Sequence, residues 1–382
     1  MEHLTYSLVL LIRLHLRVYK IKKEWGVDMN IFVMNDKFET ISIIDSYESV
    51  IWTDRYIGYG DFEIYAPFSF DLLNKVKQDY YLTILDSEHV MIIESVEILS
   101  DTDKGNRLKI TGKSLESILN RRIMWSKAKY TGSLQNAIKS ILTNSIISPS
   151  IEDRKISNFI FEESNDVRIT ALTIEDDFTE EQNVYDIIVA LCQRNFLGYK
   201  VTLNSSNQFV FKLYMGEDRS YDQLTNPYVV FSPNYENIIN SNYIDSTEKM
   251  KNITLVIGER TSITVGSATG LARREIYTDG MGVNPEEVGD YNESLKRLGT
   301  YTLQDNSRVK NFEGEVDAVR MFVYGKDFFI GDVVQISNEY GIEGSARVME
   351  FIKSDDASGS KAYPTFQAIQ DINTTVDDLT GK

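Results

Sequence analysis

From residue 30 onward, apolar side chains alternate with polar ones in short runs between turn residues, which predicts β-strands. Strands are expected at 31–34, in a run to residue 44 after the turn Asn35-Asp36, and at 49–53. Gly58 and Gly60 then lead into Phe62, Ile64 and Ala66, spaced by two, and Pro67 closes that strand. Further strands are expected at 80–85 and 89–99, and again where Leu108 and Ile110 alternate with Arg107, Lys109 and Thr111. About seven short strands in residues 29–112 imply a small barrel or sandwich.

The period changes after residue 112. Residues 114–120 read as a short helix, and Leu134, Ala137, Ile138, Ile141 and Leu142 follow the three-and-four spacing of a buried helical stripe, with Ser133 as its cap and Pro149 beyond its end. Residues 151–174 read as extended and polar. Thr179 and Gln182 form a capping-box pattern ahead of Val184, Ile187, Ile188, Leu191 and Cys192, a second amphipathic helix. Strands over 199–203 and 209–214 follow, joined by a turn at 204–207.

The last third returns to strands, expected at 238–245, 252–258, 261–265, 312–316, 333–336 and 347–352. One helix is predicted among them, over 284–298. Asn284 would cap it, Pro285 would take its first position, Glu286 and Glu287 would complement its dipole, Lys296 and Arg297 would sit in its last turn, and Gly299 would stop it. Val288, Tyr291, Leu295 and Leu298 would face the sheet.

This pattern reads as an α+β, mainly β chain: a leader (1–28), a first β-barrel domain (29–112), a mixed helical and β insert (113–235), a second β-barrel domain with its inserted helix (236–370), and a polar, flexible tail (371–382). The leader has Leu8 to Ile12 as its longest purely apolar run. Its charges Arg13, Arg17, Lys20, Lys22 and Lys23 follow that run, the reverse of a secretory signal. Met29 is expected to be the natural start.

Composition narrows the function. The chain has 382 residues, of which 42% are hydrophobic and 25% charged, enough for several cores and against disorder. The 11% aromatic share favours sheet. No apolar run is long enough to span a bilayer, so no stable membrane insertion is expected. With 57 acidic against 40 basic residues the net charge is −17, which argues against a general nucleic-acid-binding face. Cys192 stands alone, excluding an internal disulfide and a zinc cluster of the Cys-x-x-Cys kind.

Candidate chemistry is sparse. A nucleophilic Cys192 would need a histidine beside it, and the chain offers His3, His15 and His89, two of them in the leader. Cys192 also lies on an apolar helical stripe, which predicts an inert core thiol. His89 opens a strand and reads as structural. The turn Asp101-Thr102-Asp103-Lys104-Gly105-Asn106 starts like a calcium loop but has Gly fifth, where an EF-hand needs it sixth, and Gly112 where that loop needs Glu. It reads as a hairpin turn. Glu175, Asp176, Asp177, Glu180 and Glu181 read as a solvated helix approach. Gly266 to Gly270 lacks the spacing of a phosphate-binding loop. No catalytic residue, metal site or cofactor is expected.

The most distinctive stretch runs from Val50 to Pro67 and contains Trp52-Thr53-Asp54-Arg55-Tyr56 and Gly60-Asp61-Phe62-Glu63. Together with Asp79-Tyr80-Tyr81-Leu82, Met91-Ile92-Ile93-Glu94, the Thr111-Gly112-Lys113-Ser114-Leu115 run continuing to Arg121-Arg122, Gly331-Asp332-Val333-Val334 and Asn338-Glu339-Tyr340-Gly341-Ile342, it resembles the siphovirus Gp37-like family of phage tail baseplate-hub proteins, related to tail-associated (Tal) proteins. The resemblance covers nearly the whole chain from Met29. It implies a homotrimeric hub at the virion tail tip, each chain supplying two related small barrels around an axial channel. Three chains would then offer six barrels to a six-fold tube or distal-tail ring. The implied partners are the distal tail protein and the tail tube protein, with the tape measure protein as a further one, and DNA only in transit. The motif residues are expected in structural roles: Trp52 and Phe62 as core rings, Gly58 and Gly60 freeing a turn, and Arg55 pairing with Glu63 across the hairpin. Rival readings are a carbohydrate-binding adsorption protein using its Tyr and Phe residues, and a cell-wall hydrolase with dispersed carboxylates.

Overall fold

A computed structural model describes residues 29–368 apart from 86, 103–104, 287–289, 317–320 and 342, so the leader and the tail lie outside the described residues. The alternating N-terminal third forms β1 (Ile31–Met34), β2 (Thr40–Ile44), β3 (Ser49–Arg55), β4 (Asp61–Pro67), β5 (Tyr81–Ile84), β6 (Met91–Asp101) and β7 (Gly105–Ser114). A helix at Phe70–Lys75, capped by Ser69, bridges β4 and β5. Alternation has its expected consequence: in β4, Phe62, Ile64 and Ala66 are buried while the residues between them are half-exposed. Trp52 lies opposite Phe62 in register, with ring centroids 6.0 Å apart. Both rings belong to a core shared with Ile31, Val33, Leu82 and Ile110.

The middle third folds as β8 (Ala128–Ser133), β9 (Phe159–Glu162), β10 (Thr173–Phe178), β11 (Gly198–Leu203) and β12 (Phe209–Tyr214), with helices at Leu134–Leu142 and Val184–Arg194. Ser133 caps the first of these by accepting from the Asn136 amide. The second is capped by Asn183, which accepts from the Tyr185 amide. Of the expected capping box, the bond from the Thr179 amide to Gln182 Oε1 forms at 3.0 Å, one step outside the helix. Residues 151–174 are not simply extended. They contain a turn of 3-10 helix at Glu152–Arg154, strand β9 and a short helix at Val167–Thr170 capped by Asp166. The helical stripes, Tyr199 and Phe211 bury a second core.

The last third contributes β13 (Asp218–Arg219), β14 (Val230–Phe231), β15 (Ile238–Ser246), β16 (Ile253–Gly258), β17 (Ser262–Gly266), β18 (Glu275–Gly280), β19 (Val309–Val316), β20 (Val333–Ser337), β21 (Glu343–Asp356) and β22 (Gly359–Ala368). The helix expected over 284–298 lies instead at Tyr291–Asp305, with Asp290 as its cap. Asn284 makes a local turn, accepting from the Glu286 amide. Gly299 does not stop this helix but sits within it. A Cβ there would come within 2.7 Å of Val256 and Val265, so glycine lets the helix lie close on the sheet β17-β16-β18. Leu295 and Leu303 are buried, and Val288 lies outside the described residues.

The two ends of the chain share one sheet. Its order is β13-β20-β21-β3-β4-β7-β6-β5-β1-β2, with β14 also on β20 and β22 on β21. The pairing of the described strands follows an open path, and no closed barrel is found among them. The seam is β3 against β21, antiparallel from Arg55 opposite Glu350 to Ser49 opposite Asp356. Strands almost 300 residues apart in sequence are thereby hydrogen-bonded neighbours, and a third core of Phe231, Phe328, Val334, Val348 and Phe351 lies beside the seam. Among the described residues no helix is long and apolar enough to cross a membrane.

Candidate functional site

The distinctive motif turns from β3 to β4 at the place where all three cores meet. Gly60 and Gly112 act by permitting close approach. A Cβ on Gly60 would sit 2.1 Å from the Thr53 carbonyl oxygen, and one on Gly112 would sit 1.9 Å from that of Ile92 and 2.8 Å from the Phe62 ring. The Gly60 amide donates to Ser114 Oγ at 2.7 Å, and the Ser114 amide donates back to the Gly60 carbonyl at 2.9 Å. The Leu115 amide donates to the Val90 carbonyl at 3.0 Å, which starts the buried 3-10 helix Leu115–Arg121 at a fixed place beside β6. Gly58 alone of these uses its freedom at φ, at +92°.

Arg55 closes the hairpin, with partners other than the expected Glu63. It pairs with Asp61, donates through Nε to Glu350 at 2.6 Å across the seam, and donates through Nη1 to the Tyr59 carbonyl at 2.9 Å. Its place at the end of β3, directly opposite Glu350, turns it toward the seam. Glu63 stands opposite Ile51 and pairs with Lys109 at 2.8 Å on the neighbouring strand β7.

Tyr56 is the centre of the joint. It is fully buried, and its hydroxyl donates to the Phe196 carbonyl at 2.9 Å. The Tyr214 ring meets it edge-on at 5.3 Å and the Arg347 guanidinium lies 5.4 Å from its centroid. Burial pushes its hydroxyl pKa up, against the opposing pull of Arg347. Two glycines bed the ring: a Cβ would come within 2.2 Å of it from Gly198 and within 2.5 Å from Gly331. A third, Gly216, lies against the backbone of Gly331, where a Cβ would approach to 2.0 Å. Asp332 fixes the same corner by accepting from the Glu217 amide at 2.7 Å, Arg219 Nε at 2.8 Å and the Phe329 amide at 3.0 Å. Tyr56, Gly331 and Asp332, quoted from opposite ends of the sequence, are thus one constellation. Gly198, Gly216, Tyr214 and Glu350 belong to it and were not singled out from the sequence, because no local pattern marks a contact made so far along the chain.

A second polar joint lies close by. His89 is almost fully buried, and its Nδ1 stands 3.3 Å from Oε1 of Glu116, which is fully buried. The same oxygen accepts from the Val201 amide at 2.7 Å, tying the N-terminal sheet to β11. Burial alone would discharge His89, but Glu116 and then Asp54 outweigh it, and its pKa is raised from 6.5 to about 9. Glu116 is lowered from 4.5: burial opposes its charge, while His89 favours it. Asp54 is itself held by Trp52 Nε1 at 3.0 Å and Ser87 Oγ at 2.8 Å. Arg121 lies apart from both joints, exposed and paired with Asp79 at 3.0 Å. Cys192 is buried among apolar neighbours, and desolvation pushes its thiol far up, away from the thiolate that nucleophilic chemistry needs. Among the described residues no group of His, Cys, Asp and Glu is placed to hold a metal ion.

Residues 30–366 match the siphovirus ReqiPepy6 Gp37-like protein family. A comparison with curated proteins finds none that matches. Among solved structures, a tail protein from Neisseria meningitidis MC58 is similar at TM-score 0.55 and 13% identity, covering 90% of this chain and 97% of the other. The 43 kDa tail protein of prophage MuSo2 from Shewanella oneidensis is similar at TM-score 0.55 and 13% identity, over 89% and 98%. Prophage tail protein gp18 from Listeria monocytogenes EGD-e gives 0.50 and 12%, over 92% and 97%. Such low identities speak for the fold, and the match over residues 30–366 speaks for the family: this chain belongs to the siphovirus ReqiPepy6 Gp37-like proteins and has the fold of phage tail proteins.

Proposed function

We propose that this chain is a structural component of the baseplate hub or tail tip of a tailed phage or phage-like particle. Three copies assemble around an axial channel, join the tail tube to the tip, and line or close the path by which DNA leaves. The two β-rich ends of each chain serve as the two barrel-like wall segments of that assembly, with the mixed region between them. Partners in this reading are further copies of the chain, the distal tail protein and the tail tube protein, with the tape measure protein meeting the hub from the lumen.

The observation that carries the reading is the extent of the fold match. Similarity to the Neisseria meningitidis tail protein covers 90% of this chain and 97% of that one, so a whole tail-protein architecture is shared. The geometry supports the same conclusion. Among the charged motif residues, Arg55 ties β3 to Asp61 of β4 and, across the seam, to Glu350 of β21, and Asp332 ties the start of β20 to β13, as a load-transmitting wall requires. A net charge of −17 suits a surface that DNA passes without adhering.

Negative-stain imaging of the purified protein is the test. Ring-shaped particles of three-fold symmetry with a central hole are expected. Single compact particles that acquire no symmetry when mixed with the tail tube and distal tail proteins of the same phage would overturn the proposal.

A further inference from the structure

A cavity of about 300 Å³ opens where β5, β6, the 3-10 helix Leu115–Arg121 and the β9–β12 sheet converge. Its walls are apolar, from Tyr81, Ile92, Ile118, Ile156 and Phe209. Arg121, Arg122 and Asp79 also line it. Arg121 is matched by Asp79, and neighbouring Lys155 by Glu152 at 3.0 Å. Arg122 and Arg154 form no ion pair among the described residues. Arg122 donates to the carbonyls of Arg154 and Arg121, and Arg154 donates to the Ile123 carbonyl at 2.7 Å. The Arg122 pKa is lowered by burial and then by Arg154 and Arg121, so Arg122 stands among like charges, of which Arg121 has Asp79 as its partner. Beside them the Trp125 ring is 59% exposed, with the Arg154 guanidinium 4.9 Å from its centroid.

Arg122 lines the apolar cavity and Arg154 lies next to it, and on a chain of net charge −17 these two guanidiniums are complementary to one kind of partner. We propose that this cavity docks an extended acidic peptide segment of a partner protein. An aliphatic or aromatic side chain enters the space between Tyr81, Ile118 and Phe209, and flanking carboxylates pair with Arg122 and Arg154. Trp125, against the Arg154 guanidinium, reports on that pairing. Nucleic acid is the less favoured occupant, because the cationic patch is small and the chain as a whole repels phosphate. This inference is independent of the hub reading and of the number of copies in the assembly.

The test is calorimetric titration of the full chain with the blocked peptide acetyl-Val-Asp-Asp-Leu-amide, which places two carboxylates between apolar side chains, and with its Asn-Asn analogue. The acidic peptide is expected to bind with an affinity that falls as salt is raised, to shift Trp125 fluorescence, and to lose that shift in Trp125→Phe. Arg122→Gln should weaken binding about tenfold, the equivalent of one charge-assisted contact. Because Arg122 also holds backbone carbonyls, two further variants guard against misfolding. Arg154→Gln removes the second guanidinium, and Ile156→Phe fills the cavity while leaving every charge in place; both are expected to weaken binding at an unchanged melting temperature. No binding at about 1 mM peptide, a Kd in the weakest range of specific recognition, overturns the proposal. So does equal binding of the Asn-Asn analogue, unchanged affinity in these variants, or preferential binding of a single-stranded oligonucleotide at the same residues.

Discussion

The two joints beside the motif both tie the N-terminal third of the chain to the middle third, by opposite means, and the one around Tyr56 reaches the last third as well. Around Tyr56 the means is the absence of atoms: Gly198, Gly216 and Gly331 leave room for one ring and one close backbone crossing. At His89 and Glu116 the means is buried charge, each partner removed from water and each dependent on the other. A steric joint is indifferent to pH and intolerant of added volume. A charged joint tolerates similar shapes and responds to pH. The comparison predicts which substitutions and conditions should separate the two.

The largest effect is expected from Glu116→Gln. The amide retains an acceptor for the Val201 N–H but leaves His89 without its carboxylate in a buried site, at a cost of about 3 kcal/mol near pH 6 measured by urea unfolding. That cost should shrink above pH 9, where His89 is neutral in the parent chain as well; a cost that stays constant across pH would show that shape, not charge, matters there. Next comes Gly216→Ala, whose methyl meets the Gly331 backbone at 2.0 Å, where no flexible side chain end can give way. About 2 kcal/mol of destabilisation is expected, the same at pH 6 and pH 9.5. An unperturbed melting temperature would remove the steric account of this joint.

The pH profile of the parent protein sharpens the contrast further. The folded His89 has its pKa raised from 6.5 to about 9, so its contribution is full below pH 6.5 and is lost as pH rises through 9. The folded Glu116 has its pKa lowered from 4.5, so its contribution is full above pH 4.5 and is lost as pH falls through the lowered value. Between pH 4.5 and 6.5 both are present in full, and the decline from pH 6.5 toward 9 should shrink in Glu116→Gln, where Asp54 alone still favours the charged His89. The smallest effect belongs to Tyr56→Phe, which removes the bond to the Phe196 carbonyl and keeps the ring. A loss of about 1 kcal/mol is expected. A loss above that of Gly216→Ala would mean that the hydroxyl, rather than the fit of the ring, carries the joint.

Much of this fold was legible because its signals are local. Alternation in β1, β3, β4 and β7 reports one buried face, and Ser133 before an apolar stripe marks a helix start whatever the rest of the chain does. The motif residues were visible as a pattern, and Trp52 and Phe62 lie in the core as their strand positions suggest. The functions of the others depended on contacts that a linear reading does not contain. Arg55 finds Glu350 only once β21 has crossed to β3, and Gly299 looks like a helix stop until Val256 and Val265 are seen beneath it. The helix starts later than its capping signals suggest for a related reason: Asn284-Pro285-Glu286 is a good capping sequence that forms only a turn, and Asp290 caps the segment that lies on the sheet. The strand β22, with Pro364 inside it, shows no alternation strong enough to announce it, and pairing with the long β21 supplies its order.

The central claim is that this chain acts by shape and assembly. Its most direct test is the mass of the full-length protein in solution over a range of concentrations. The account predicts a stable species of three times the 43.8 kDa chain mass that persists on dilution. A species of single-chain mass at every concentration, unchanged when the distal tail protein of the same phage is added, would contradict it.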